Sequence, residues 1–220
     1  MIFEIDNIEL YFKEKRILNG IYLKAETNKI TGLLGSNGCG KTCLLNIIFG
    51  SLTPKYKLIR VDNKPILIPL YQTKLVAYLP QHHFIPVHLK VKTIFKIFKL
   101  SWKTFTTHFE VFGHYKNRKI GQLSGGERRL IETYSILKSN TELVLLDEPF
   151  SHLSPINIEI LKKLILKEKK YKAIVITDHL YRHIIEVTDN LYFIKHGNSK
   201  RIKNITELEH LKYLNSSSFN

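Results

Sequence analysis

One stretch constrains the fold more than any other: Gly35-Ser36-Asn37-Gly38-Cys39-Gly40-Lys41-Thr42 fits the spacing G-x-x-x-x-G-K-[ST] at every defined position. It follows Ile30-Thr31-Gly32-Leu33-Leu34, a short apolar run that reads as a buried strand, and a helix is expected from near Gly40. Strand, glycine-rich loop and helix in that order predict one unit of a mostly parallel α/β sheet. The chemistry follows from the backbone. Glycines let successive N–H groups turn inward toward the α- and β-phosphates of a nucleotide, and the helix adds the positive end of its dipole. Lys41 can reach the β- and γ-phosphates, and Thr42 offers a hydroxyl to Mg2+, a hard cation that prefers oxygen. A glycine-rich turn with no ligand would not require all three parts to fall in register.

The 220 residues suffice for one domain with a good core and a small inserted subdomain, and 44% hydrophobic with 24% charged is ordinary globular composition. The longest apolar runs, such as Leu143 to Leu146 and Ala173 to Ile176, are far too short to span a bilayer. Met1-Ile2-Phe3-Glu4-Ile5-Asp6 alternates like a strand and carries early acids, unlike a secretory signal, so a cytoplasmic address is expected. Cys39 and Cys43 lie in or just after the phosphate loop, where a disulfide would lock the segment that receives nucleotide. They read as reduced thiols filling tight space. The net charge of +15 comes from dispersed lysines, densest from Lys162 to Lys172, where a solvated helix face accounts for them. With no recognition helix, zinc finger or aromatic-interleaved basic stretch, nucleic acid is an unlikely partner.

Residues 2 to 26 carry two alternating segments around the charged turn Lys13 to Arg16, an antiparallel opening. Short strands are expected around Leu58 to Asp62 and Leu75 to Leu79, and residues 91 to 112 have helical spacing with an aromatic bias. After Ser124 comes a helix to about Lys138, then the strand Leu143 to Asp147, a helix Pro155 to Lys170, the strand Ala173 to Thr177, a helix from about Leu180 and a strand Leu191 to Ile194. This alternation predicts one domain over 1 to 220, with a helical subdomain inserted near 82 to 140 and a tail near 205 to 220.

Four further features complete the pattern. Asp147 ends the apolar run Leu143-Val144-Leu145-Leu146, and a carboxylate at a strand's C-terminal end faces the ligand crevice of such sheets. Beside it, Glu148 is a second acid that can accept a proton from attacking water while Asp147 holds the metal. Gln81 follows Ala77-Tyr78-Leu79-Pro80 and can bind a water or Mg2+, and His179 follows a strand where its imidazole can meet a γ-phosphate. Each alone is also an ordinary turn or helix-start residue. Finally, Leu123-Ser124-Gly125-Gly126-Glu127 opens a helix with two glycines, a second phosphate-seeking surface that one active site does not need.

Together these motifs, in this order over about residues 2 to 210, resemble the nucleotide-binding subunit of ATP-binding cassette (ABC) proteins. The resemblance implies an ABC-type P-loop NTPase: a mostly parallel core sheet, an antiparallel β subdomain and a short helical subdomain. It implies an ATPase with ATP and Mg2+, catalytic roles for Lys41, Gln81, Glu148 and His179, and Mg2+ near Thr42, Gln81 and Asp147. Nucleotide would meet Gly35, Ser36, Asn37, Gly38, Cys39, Gly40, Lys41, Thr42 and Cys43, with Tyr11 or Phe12 stacking on adenine. Ser124, Gly125, Gly126 and Glu127 would serve ATP held by a second subunit, in a homodimer or a heterodimer with another ABC ATPase subunit. The family's usual work is to power an integral membrane permease, which would place the chain peripherally on the inner face of the cell membrane. The other class is a soluble ABC-type ATPase acting on nucleic acid or ribosomes, whose members usually carry two cassettes or long coiled-coil insertions. Two departures stand out: Ser154 replaces the family's usual aspartate, which helps couple the two sites, and Glu127 stands where glutamine is commoner.

Overall fold

Two sheets divide the strands between them in a computed structural model that describes residues 1 to 210. The first is antiparallel, in the order β2-β1-β4-β5, built from β1 (Ile2–Phe12), β2 (Lys15–Glu26), β4 (Tyr56–Val61) and β5 (Lys64–Pro65). Its alternating sequence becomes alternating burial: Phe3, Ile5, Ile8 and Leu10 of β1 and Leu18, Ile21, Leu23 and Ala25 of β2 all face inward. Asn7, at a φ of +49°, marks a break in register between Ile5 and Ile8.

The second sheet runs β10-β9-β3-β8-β7-β6. Here β3 (Ile30–Leu34), β6 (Val76–Leu79), β7 (Leu143–Asp147), β8 (Ala173–Thr177) and β9 (Asn190–Lys195) are parallel, and β10 (Asn198–Ile202) pairs antiparallel with β9 at one edge. Every residue of β3, β7 and β8 is buried, as a parallel sheet covered on both faces requires. The period of two sorts them. Leu143, Leu145, Ala173 and Val175 join a core with the antiparallel sheet and α1 (Lys41–Phe49), whereas Val144, Leu146, Ile174 and Ile176 join a core with α4 (Gly125–Leu137), α5 (Pro155–Glu168) and α6 (Tyr181–Val187).

Residues 91 to 112 do not form one helix. They divide into α2 (Val91–Ile97), a break at Lys99 with a φ of +54°, α3 (Trp102–His108) and a 3₁₀ turn, Glu110–His114. Ser101 caps α3 by accepting a hydrogen bond from the Thr104 N–H at 3.2 Å. The aromatic bias of this stretch becomes a ring cluster centred on Phe105, whose centroid lies 4.9 Å from Tyr134, 5.0 Å from Phe112 and 5.1 Å from both Phe95 and Phe109.

Beyond the anticipated strands, β10 follows β9 through a tight turn at His196 and Gly197, with φ of +51° and +78°. A short α7 (Thr206–His210) follows. The remainder of the tail expected at 205 to 220, from 211 onward, lies outside the described residues.

Candidate functional site

The loop Gly35 to Gly40, Gln81, Asp147 and His179 follow or end β3, β6, β7 and β8, neighbouring strands of the parallel sheet, so all emerge at its C-terminal edge. In open α/β sheets that edge is where ligands bind. A cavity of 690 Å3 lies there, lined by Asn37, Gly38, Gly40, Lys41, Thr42 and Cys43 on one side and by Gln81, Glu148 and His179 on the other. Phe12 and Ile17 form its apolar wall. The size suits a nucleotide-sized ligand.

Gly40 is the N-cap of α1 at a φ of +104°, which only glycine adopts without strain. No side chain caps this helix and no acid sits in its first turn, so its leading N–H groups and dipole are directed at the cavity without competition. Lys41 Nζ donates to the carbonyl oxygens of Gly35 at 2.7 Å and Ser36 at 3.1 Å, which holds the cation inside the loop. Cys39 and Cys43 are free thiols, both pushed upward in pKa by burial.

Asp147 is 1% exposed, and burial pushes its carboxyl upward against hydrogen bonds from Thr42 and Tyr78. The Tyr78 hydroxyl donates to Asp147 Oδ2 at 3.2 Å and accepts from Asn46 Nδ2 at 3.3 Å. The Thr42 hydroxyl and Asp147 carboxylate are therefore adjacent hard oxygen donors, a pair that fits Mg2+.

Glu148 takes a φ of +55°, and its N–H donates to the Thr177 carbonyl oxygen at 2.7 Å. An L residue in the left-handed region is held there by its surroundings and marks functional sites more often than chance. The carboxylate is ringed. Gln81 Nε2 donates to Oε1 at 3.0 Å, Ser151 Oγ donates to Oε2 at 3.2 Å, and His179 Nδ1 lies 3.5 Å from Oε2. Buried Asp178 ties the two neighbouring loops together by accepting from the Phe150 N–H at 3.0 Å and the Leu180 N–H at 2.9 Å.

Two of the residues anticipated near nucleotide separate here. Phe12 lines the cavity, while the Tyr11 hydroxyl accepts from Arg16 Nε at 2.8 Å, with Arg16 and Lys55 each 5.3 Å from the Tyr11 ring centre. The Ser124 turn does not line the cavity at all. It opens α4 with a capping box: Ser124 Oγ accepts from the Glu127 N–H at 3.2 Å, and Glu127 Oε2 accepts from the Ser124 N–H at 2.8 Å. Glu127 thus turns its carboxylate onto its own helix end, a task that glutamine performs equally well. A Cβ on Gly126 would run into the carbonyl oxygen of His152, so this glycine also permits α4 to seat against the loop after β7. Ser154 caps α5, accepting from the Asn157 N–H at 3.4 Å ahead of Pro155.

Several contributors were not anticipated from the sequence. Arg129 is 2% exposed, and its guanidinium donates to the carbonyl oxygens of Pro80 at 2.7 Å, of Glu148 at 3.0 and 3.2 Å, and of Asp147. Fully buried Glu132 accepts from the Phe84 and Ile85 N–H groups at 3.1 and 3.2 Å and lies 2.7 Å from His83 Nδ1, while Arg128 Nη2 donates to the Ile85 carbonyl oxygen at 2.6 Å. Their one sequence signal is a run of charges, Arg128, Arg129 and Glu132, around the apolar Leu130 and Ile131 of α4.

A family model described as ABC transporter matches residues 18–151. The chain belongs to the ABC transporter family. The lipopolysaccharide export system ATP-binding protein LptB of Haemophilus influenzae is 29% identical over 212 residues, covering 89% of this chain and 88% of that protein. A probable branched-chain amino acid transport ATP-binding protein, LivF of Archaeoglobus fulgidus, is 32% identical over 200 residues, covering 84% and 85%. Among solved structures, an ATP-binding subunit of an ABC transporter superposes with a TM-score of 0.81 at 16% identity, covering 97% of this chain and 94% of that one, a likeness of fold. The ABC chain is thus an ATP-binding ATPase with the α/β P-loop architecture expected of it.

Proposed function

We propose that this ATPase powers a membrane transporter whose spans lie on a separate permease polypeptide, and that it works as a pair of ABC subunits closing head to tail over two ATP molecules. Among the described residues no helix is long and apolar enough to cross a membrane, in keeping with a chain that reaches the inner face of the cell membrane through its permease. The curated relatives LptB and LivF are named as ATP-binding proteins of an export system and of an amino acid transport system. One observation carries the paired arrangement: the Ser124 turn lies outside the cavity that Lys41, Glu148 and His179 line, so each chain has a phosphate-seeking surface left over for another copy's nucleotide. Whether the pair is a homodimer or a heterodimer depends on which subunits meet.

In this reading Lys41 and the N–H groups at the start of α1 hold the β- and γ-phosphates, and Phe12 covers the base. Thr42 and Asp147, with Gln81, would hold Mg2+, which neutralises phosphate charge when bound. Glu148 accepts the proton of the attacking water, and the Gln81 amide and Ser151 hydroxyl fix its two oxygens. His179, half exposed beside Glu148, hydrogen-bonds the γ-phosphate.

The test is Glu148→Gln, which keeps shape and loses the proton acceptor. Loss of such a base costs about 10²- to 10⁴-fold in rate. With ATP and Mg2+ the variant should elute as a dimer, return to monomer with ADP, and lose the dimer when Ser124→Arg is added. A wild-type rate would remove Glu148 from the base role. An inactive variant that ATP never dimerises, even with the permease present, would sink the paired-site reading.

A further inference from the structure

We infer that Arg129 is the positioning residue for Glu148, holding the catalytic carboxylate in place from the helix that carries the Ser124 turn; the inference rests on the assignment of Glu148 as the base. Arg129 lies on α4, five residues beyond Ser124, and points away from the exposed turn into the protein. Its planar fork donates to backbone carbonyls, bridging Pro80, which immediately precedes Gln81, to Asp147 and Glu148 at the end of β7, with the Glu132 carboxylate 4.0 Å from Nη1 as its counter-charge. A rigid multi-donor cation suits this task because the carbonyls at two strand ends lie in different directions, which one ammonium cannot span in the same geometry.

The backbone held in this way is the strained one. Glu148 sits at positive φ, and the carbonyl oxygen that Arg129 grips with two nitrogens belongs to that same residue. Releasing it lets the peptide relax and swings the carboxylate from the Gln81 amide and Ser151 hydroxyl. The grip on Pro80 sets Gln81 at the same time. Arg128 and Glu132 fasten the following residues, Phe84 and Ile85, to the same helix, so the segment from Pro80 to Ile85 is held to α4 at both ends. A shift of α4 upon engagement of its N-terminal turn is therefore delivered through Arg129 to the base and to its hydrogen-bond donor together.

The experiment is a double-mutant cycle on the full chain with its transport partners. Arg129→Lys keeps the charge and loses the fork. Misplacing a catalytic group by about 1 Å costs about 10²-fold, so kcat should fall by about that factor while the KM for ATP stays within about two-fold. Once Glu148→Gln has removed the base, adding Arg129→Lys should lower the single-turnover rate by less than about ten-fold, because the main group it positions is already lost while its hold on Pro80, beside Gln81, and on Asp147 is still there to be lost. Equal losses in the two backgrounds would overturn the inference, as would an unchanged kcat or an effect confined to KM. A Glu148→Gln protein hydrolysing at the wild-type rate would instead overturn the base assignment. Arg129→Gln serves the same arms if the lysine variant does not fold. In the unmutated protein, arginine side-chain NMR should show one guanidinium with slowly exchanging Nη protons, and finding all of them in fast exchange would overturn the inference without any substitution.

Discussion

Gln81 Nε2 donates to Glu148 Oε1 at 3.0 Å across the gap between the ends of β6 and β7. A segment that leads into the helical insert is thereby bonded directly to the candidate base. Movement of that insert has a short path to chemistry, since displacing Gln81 removes a hydrogen bond from the carboxylate that must take the proton.

Lys41→Ala should abolish hydrolysis and weaken ATP binding. It removes the cation at the loop, where a charge-assisted hydrogen bond to phosphate is about twice as strong as a neutral one. Measured turnover within a few-fold of the unmutated protein would show that the loop does not hold phosphate in the way described.

Phe12→Ala should raise the Kd for ATP, whereas Tyr11→Ala should leave it nearly unchanged. Stacking of a base on an aromatic ring contributes about 1–3 kcal/mol by alanine substitution, or about 5- to 150-fold in affinity. Phe12 lines the cavity, and Tyr11 is engaged with Arg16 and Lys55. The reverse ranking in a fluorescent-nucleotide titration would place adenine elsewhere.

Ser154→Asp should leave folding stability almost untouched and alter cooperativity in ATP. Serine and aspartate are equally good N-caps, while Ser154→Ala should destabilise by about 1 kcal/mol. Thermal melts of the three proteins check the cap. Identical Hill coefficients for the serine and aspartate forms would show that the position carries no coupling between sites.

The two thiols should alkylate slowly near neutral pH and faster in alkali. Burial raises both above the ordinary thiol value, so the reactive thiolate is depleted at neutral pH and grows as pH rises. Because Cys43 lines the same cavity as Lys41 and Thr42, ATP should slow its labelling further. Mass spectrometry after iodoacetamide treatment reads both effects, and neutral-pH labelling as fast as that of free cysteine would contradict the burial.

The strands Leu143–Asp147 and Ala173–Thr177 were legible to the residue because uninterrupted apolar runs bounded by polar ends have one good solution, a strand covered on both faces. The stretch 91 to 112 was not, because helical spacing persists across Lys99 even though the backbone turns there, and one ring that the cluster packs on, Tyr134, lies in a separate helix. β10 escaped notice because only Ile202 of its residues is buried, and the His196–Gly197 turn was the sole cue. At the candidate site, motif spacing led to Lys41, Thr42, Gln81, Glu148 and His179 of the cavity lining, yet it was silent on Ile17, Arg129 and Glu132. A buried charge is indistinguishable from a solvated one until its backbone partners, 18 to 49 residues away, are in place.

Tyr134 belongs at once to α4 and to the ring cluster around Phe105. The rings of the insert are therefore continuous with the main core: α2 and α3, seven residues each, are too short to persist alone, and their cluster rests on a helix that also packs under the parallel sheet. Amides of α3 should exchange with deuterium only on openings that also disturb α4, so the insert and its supporting helix would melt as one cooperative unit.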